Sequence, residues 1–186
     1  MHFNTPRLKF LIVSFTLAVA QSGTEADIPG WNQFRGPNGS GVAPGCRPPV
    51  KLQASHQAWK TPIPPGLSSP VLSAEKIFLT AIDGDRLVTL AFERKSGKPL
   101  WRREAPEGPL EKVHKTSSPA TSTPLVDEEN VYVYFGSFGM ICYDHEGREK
   151  WKKPMPTPGS LYGMSTSPIA YKNMVILVID NDKNLE

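Results

Sequence analysis

Residues 76–82 and 86–93 are two runs in which apolar side chains occupy both alternating sets of positions, split by Asp83-Gly84-Asp85. Ser68-Ser69-Pro70 precedes them, and a Ser96-Gly97 turn follows, with Trp101 four residues after the glycine. The same order of features returns from Ser122 to Trp151 and begins a third time at Thr166. A unit recurring every roughly 40–55 residues is the signature of a repeat architecture.

Four strands are predicted in the first unit, at residues 69–73, 76–82, 86–93 and 98–103, with turns at Ala74-Glu75, Asp83-Gly84-Asp85 and Lys95-Ser96-Gly97. Glycine supplies the positive φ that tight hairpins require. The second unit predicts strands at residues 123–126, 130–136, 139–144 and 149–153. Middle strands that are apolar on both faces do not suit a two-layer sandwich with one wet face. They suit radially stacked sheets, each buried between neighbours, as in a β-propeller. Pro70, Pro124 and Pro168 open the first strand of each unit, and proline belongs at strand starts and edges, as on the innermost strand of a blade. Ser69, Thr123 and Ser167 beside them are small enough to crowd around an axis. The third unit offers residues 174–179, the most apolar run after the N-terminus, then an Asp/Asn-rich turn. The expectation is an all-β chain, a partial propeller of four-stranded antiparallel blades near residues 68–104 and 121–153, with an incomplete third at 165–186.

Connectors at residues 105–119 and 154–165 join the units; the first carries His114, Lys115 and Thr116-Ser117-Ser118, and loops of this length are where a scaffold places function. Residues 21–65 read as a lead-in, with one short strand at residues 57–60 serving as the outer strand of a blade completed from elsewhere. Residues 31–41, WNQFRGPNGSG, run from an aromatic pair into glycine-rich turns. Gly36 and Gly41 have phosphate-loop spacing, but Val42-Ala43 stands where Lys-Ser/Thr is required and no strand precedes them. Asn38-Gly39-Ser40 is a formal glycosylation sequon.

The N-terminus changes the picture of location. Arg7 and Lys9 precede an apolar run to Val19, which ends in Ala18-Val19-Ala20. That is the pattern of a secretory signal peptide, residues 1–20, and the run is about half the roughly 20 residues that a spanning helix needs. The expected protein is exported, periplasmic or secreted, with no membrane span after cleavage. Losing Arg7 and Lys9 takes the 21 basic residues to 19, against 18 acidic, and the two signs are interleaved. Such a balance gives no reason to expect nucleic acid. Cys46 and Cys142 could pair in an oxidising compartment, although Cys142 sits in a strand pattern and suits a small buried apolar position.

Candidate chemistry is sparse. His2, His56, His114 and His145 never approach ligand spacing, and the two cysteines form no CxxC. Asp180, Asp182 and Asn184 open like a calcium loop, but the sixth position is Leu185 instead of glycine. No serine lies in G-x-S-x-G. No catalytic, cofactor-binding or metal residue is assigned.

Residues 91–101, AFERKSGKPLW, resemble the tryptophan-docking repeat of quinoprotein-type propellers, A-x-D-x-x-T-G-K-x-x-W, with Glu93 for the aspartate and Ser96 for the threonine. A second copy, residues 142–151, keeps Asp144, Gly147, Arg148 and Trp151 and is one residue shorter. The resemblance covers roughly residue 31 onward and implies the PQQ-like repeat family of quinoprotein alcohol dehydrogenases and the outer-membrane assembly protein BamB. It implies an eight-bladed propeller with tryptophan packed between blades. At roughly 47 residues per blade, eight blades need about 380, so the chain reads as an N-terminal fragment or truncated product. An exposed apolar edge at residues 174–179 is expected to make it poorly soluble or oligomeric. The family implies either a non-catalytic binding or assembly scaffold, with protein or saccharide partners besides the remaining blades, or a dehydrogenase using PQQ with calcium. The scaffold is the expected function and the dehydrogenase the alternative.

Overall fold

The computed structural model describes residues 30–182. The signal-peptide reading at residues 1–20 therefore lies outside the described residues. Strands β1 (Val71–Leu72), β2 (Lys76–Asp83), β3 (Arg86–Glu93) and β4 (Pro99–Glu104) form one antiparallel sheet in chain order. Strands β5 (Leu125–Val126), β6 (Asn130–Phe135), β7 (Gly139–Asp144) and β8 (Glu149–Pro154) repeat it, and β9 (Ile169–Tyr171) pairs with β10 (Met174–Ile176). These are propeller blades, and the registers of the first two correspond: Val71 faces Phe78 as Leu125 faces Tyr132. Each outer strand carries an irregularity just before its tryptophan. Ala91 pairs with Trp101 and Phe92 with Pro99, while Cys142 pairs with Trp151 and Tyr143 with Glu149. The bulge turns the tryptophan side chain at the same point in both blades.

The period-2 alternation explains the core. Phe78 and Ala91 of the first blade point toward the second, where Val131, Val133, Ile141 and Tyr143 meet them. Tyr134 and Met140 point the other way, toward Met164, Val175, Leu177 and Ile179. Ala81, Val88, Leu90 and Phe92 form a third cluster on the far face of the first blade. The first two blades thus bury both faces, which is why their middle strands read as apolar throughout.

The link between blades is concentrated at one turn. Gly147 has φ 77°, and a Cβ there would fall 2.7 Å from Trp101 Cδ2, so the indole lies directly against the glycine. Trp101 Nε1 donates to the His145 carbonyl at 2.9 Å, Arg103 Nε to the Gly147 carbonyl at 2.6 Å, and Lys76 Nζ pairs with Glu146 Oε1 at 2.7 Å. Asp144 shapes this turn by accepting the amides of Glu146 and Arg148 at its Oδ1. Its carboxyl is held below the usual range: burial would raise it, but the Arg148 guanidinium and these amides outweigh that.

Three expectations need correction. The inner strands start after the prolines, at Val71 and Leu125, because the preceding residues bond sideways to the next blade. Ser69 N donates to Thr123 Oγ1 at 2.9 Å and Thr123 N to Ser167 Oγ at 3.0 Å. Residues 57–60 form no strand, having no paired neighbour among the described residues. They nevertheless act as an outer strand does: Trp59 Nε1 donates to the Arg94 carbonyl at 3.0 Å, and the ring covers Gly97 as Trp101 covers Gly147. The ladder expected at residues 174–179 ends at Ile176, although Leu177 and Ile179 still pack inward. Cys46 is exposed and Cys142 buried, and both are free thiols, that of Cys142 pushed up to about 11 by burial.

Replacing Trp101 by alanine is expected to cost about 3 kcal/mol in urea unfolding. Gly147→Ala is expected to cost at least about 2 kcal/mol in the parent and clearly less beside Trp101→Ala, because the ring is the obstacle. Additive costs would disprove the docking. On the outward side of the third unit Ile169, Tyr171, Met174, Ile176 and Val178 are exposed together. The 186-residue chain is expected to self-associate in sedimentation experiments, and Ile176→Lys with Val178→Glu to shift it toward monomer.

Candidate binding faces

Each blade has two ends, and the chain furnishes them differently. The β1–β2 and β3–β4 turns of the first blade, and their counterparts at Asp127–Glu128 and His145–Glu146, gather at one end. Here a groove of about 1620 Å³ opens between these turns and residues Asn32, Gln33, Pro37 and Asn38 of the lead-in. Four carboxylates, Glu75, Asp127, Glu128 and Glu146, face two cations, Lys76 and Arg94. Most of these charges are committed to the fold. Lys76 bridges to Glu146, and Arg94 Nη1 donates to the Ser73 carbonyl at 3.2 Å. Asp127 accepts the amides of Glu129 and Asn130 and the Tyr132 hydroxyl, the last at 2.9 Å. Burial would raise the Asp127 carboxyl, but those bonds hold it below its ordinary value, and Tyr132 is pushed up to about 12 by burial and by Asp127. His145 Nε2 lies 2.9 Å from the Asp127 carbonyl, an acceptor, so that nitrogen carries the proton.

The other end holds the two connectors, and Glu111 joins them. Its amide donates to Ser137 Oγ at 2.9 Å, and its Oε2 accepts the Met164 amide at 2.9 Å. A Cβ on Gly136 would fall 2.4 Å from Glu111 Oε1, so the carboxyl sits on the bare glycine. Glu111 is only 8 % exposed, its Oε1 has no partner, and neither does the buried Tyr134 hydroxyl. Burial raises the Glu111 carboxyl above its usual range despite the Met164 amide, and burial and then the Glu111 charge push Tyr134 up to about 12. Beside it the His114 and Tyr162 rings approach to 5.1 Å, and His114 Nδ1 lies 2.8 Å from Thr116 Oγ1. A smaller cavity of about 460 Å³ lies near Arg86, Pro106, Leu110 and Phe138.

The histidines that the sequence singles out are kept apart by the fold: His114 meets the second connector at Tyr162, while His145 belongs to the opposite end. Asp180 and Asp182 are exposed, and among the described residues no group of three or more His, Cys, Asp or Glu side chains could hold a metal ion. Also among the described residues, no helix is long and apolar enough to cross a membrane. Residues 31–41 close on themselves: the amides of Gly36, Gly39, Ser40 and Gly41 bond to carbonyls within the segment, that of Gly41 to the Arg35 carbonyl at 2.7 Å. Glu111 and Gln33 are buried polar residues that motif reasoning passes over. A charged residue between Leu110 and Val113, in a connector, is the only hint of the first.

Two blades of matching register, with tryptophan docked on glycine, define a repeat type. The family described as outer membrane protein assembly factor BamB matches residues 51–184. The chain belongs to that family. Its blades are BamB-type PQQ-like repeats, and the match takes in both tryptophan-docked turns and the Trp59 segment. No curated protein matches the chain.

Glu111 gives these connectors a pH signature. A carboxyl raised in the folded state favours folding below its unfolded pKa, and that advantage is lost as pH rises through the higher folded value. Glu111→Gln keeps the acceptor for Met164 N but cannot ionise. Its stability relative to the parent is expected to increase from about pH 4.5 upward and then level off, as measured by urea unfolding across pH. A difference that does not change with pH would rule out the buried ionisation.

Proposed function

We propose that this protein is an exported, non-catalytic binding or assembly scaffold whose partners are proteins or saccharides. The observation that carries the reading is the broad groove at the turn end, most of whose charged side chains are fixed by structural bonds and present a shaped polar surface. Fixed charges of this kind suit recognition, because binding then orders few side chains. The family's name, that of an assembly factor, supports the same class. Export is supported by the N-terminal pattern of Arg7, Lys9 and Ala18-Val19-Ala20. Further blades would complete the propeller around the same axis.

Two measurements test this. N-terminal sequencing of protein from an exported fraction is expected to start at Gln21, and a retained Met1 would reject export. Titration of PQQ with Ca²⁺ is expected to give neither saturable binding nor dye-linked alcohol oxidation. Stoichiometric binding with turnover would replace the scaffold reading by a dehydrogenase.

A further inference from the structure

An inner strand of a blade pairs on one side only, so every second amide on its other edge needs a partner. Leu72, Val126 and Ala170 are equivalent residues, each two positions after the proline that opens its unit. Their amides are met by three consecutive residues of the lead-in. Leu72 N donates to the Trp31 carbonyl at 2.8 Å, Val126 N to the Asn32 carbonyl at 2.8 Å, and Ala170 N to Gln33 Oε1 at 3.1 Å. The third acceptor is a side chain because the Gln33 carbonyl already accepts Gly36 N at 2.9 Å. Gln33 is buried, and its Nε2 donates to the Gly36 carbonyl at 3.2 Å, so both ends of its amide are engaged.

We infer that residues 31–33 are an in-chain strap that clamps three successive blades by their inner edges, one residue to one blade. The loop behind the strap holds it in place. Gly36 has φ 67°, and a Cβ on it would fall 2.4 Å from Trp31 Cε3, so the loop folds back until the indole rests on the glycine. Gly39 N and Gly41 N close the loop on the carbonyls of Gly36 and Arg35 at 3.0 and 2.7 Å. The strap supplements a second line of links along the axis. Thr80 Oγ1 donates to the Ser122 carbonyl at 2.9 Å, and Ser122 Oγ donates to the Thr166 carbonyl. Those links join neighbours in pairs, whereas the strap spans all three units. Asn32 and Gln33 also wall the groove, so the strap fixes the width of the binding face; this consequence rests on the scaffold reading, while the clamp does not.

Amide hydrogen exchange read residue by residue tests the clamp without any partner. Gln33→Ala is expected to speed exchange at Ala170 about tenfold relative to Leu72 and Val126. Gly36→Ala, which forces the loop off Trp31, is expected to speed Leu72, Val126 and Ala170 together while Val133 and Ile141 stay slow. Unchanged exchange at Ala170 in Gln33→Ala overturns the assignment. So does a Gly36→Ala chain in which the three amides exchange as in the parent, or in which Val133 and Ile141 accelerate equally.

Discussion

The indole of Trp101 resting on the bare α-carbon of Gly147 is the contact on which the stacking of these blades depends. It needs three things at once: a left-handed turn that only glycine adopts without strain, no Cβ in the way, and an indole N–H aimed at a carbonyl. The bulge before the tryptophan supplies the aim, and Asp144 supplies the turn. Once the ring is seated, the sheets are held face to face, and Phe78, Tyr143 and the valines of β6 are sealed between them. Burial on both faces then follows from geometry, not from any special hydrophobicity of a single strand.

The same contact explains what is legible in the chain. Glycine, tryptophan and the acidic residue before them are spaced by covalent geometry, so residues 91–101 and 142–151 announce both blades, and the apolar runs beside them place the strand bounds to within a residue except where the inner strands begin. The inner strands escape the pattern because Ser69 and Thr123 have the composition of strand residues but spend their amides on the neighbouring blade. Nothing local distinguishes a small polar residue that pairs within a sheet from one that pairs across sheets. Residues 57–60 mislead in the opposite sense. Trp59 has a docking residue's partner, the carbonyl of Arg94, yet no strand ladder surrounds it among the described residues. The repeat signal therefore reports the docking contact more faithfully than it reports secondary structure.

The candidate faces are legible only as regions. Connector length singles out residues 105–119, and the structure brings Glu111 and His114 from it against the second connector. Which of its polar residues turns inward is decided by Gly136, whose missing side chain leaves the space that the carboxylate occupies, while Gly163 makes room for Val113 beside it. Glycines more than twenty residues away in sequence cannot be paired with these side chains by pattern. Gln33 is hidden for the same reason: its partner, Ala170, lies 137 residues further on.

Trp59, Trp101 and Trp151 form a series along the stack, and their surroundings differ in an informative way. The first two each cover the turn glycine of the following blade and donate to a carbonyl in that turn. Trp151 touches Tyr132 of its own blade at 6.1 Å between ring centroids and stays 42 % exposed. Its strand presents the same bulge and register as that of Trp101, so the ring is built to dock although no turn glycine covers it among the described residues. The third unit likewise leaves an apolar row from Ile169 to Val178 exposed on the face turned away from the second blade. Each blade is therefore complete only in the presence of the next. An oriented indole and an apolar face already formed are what one repeat offers to another.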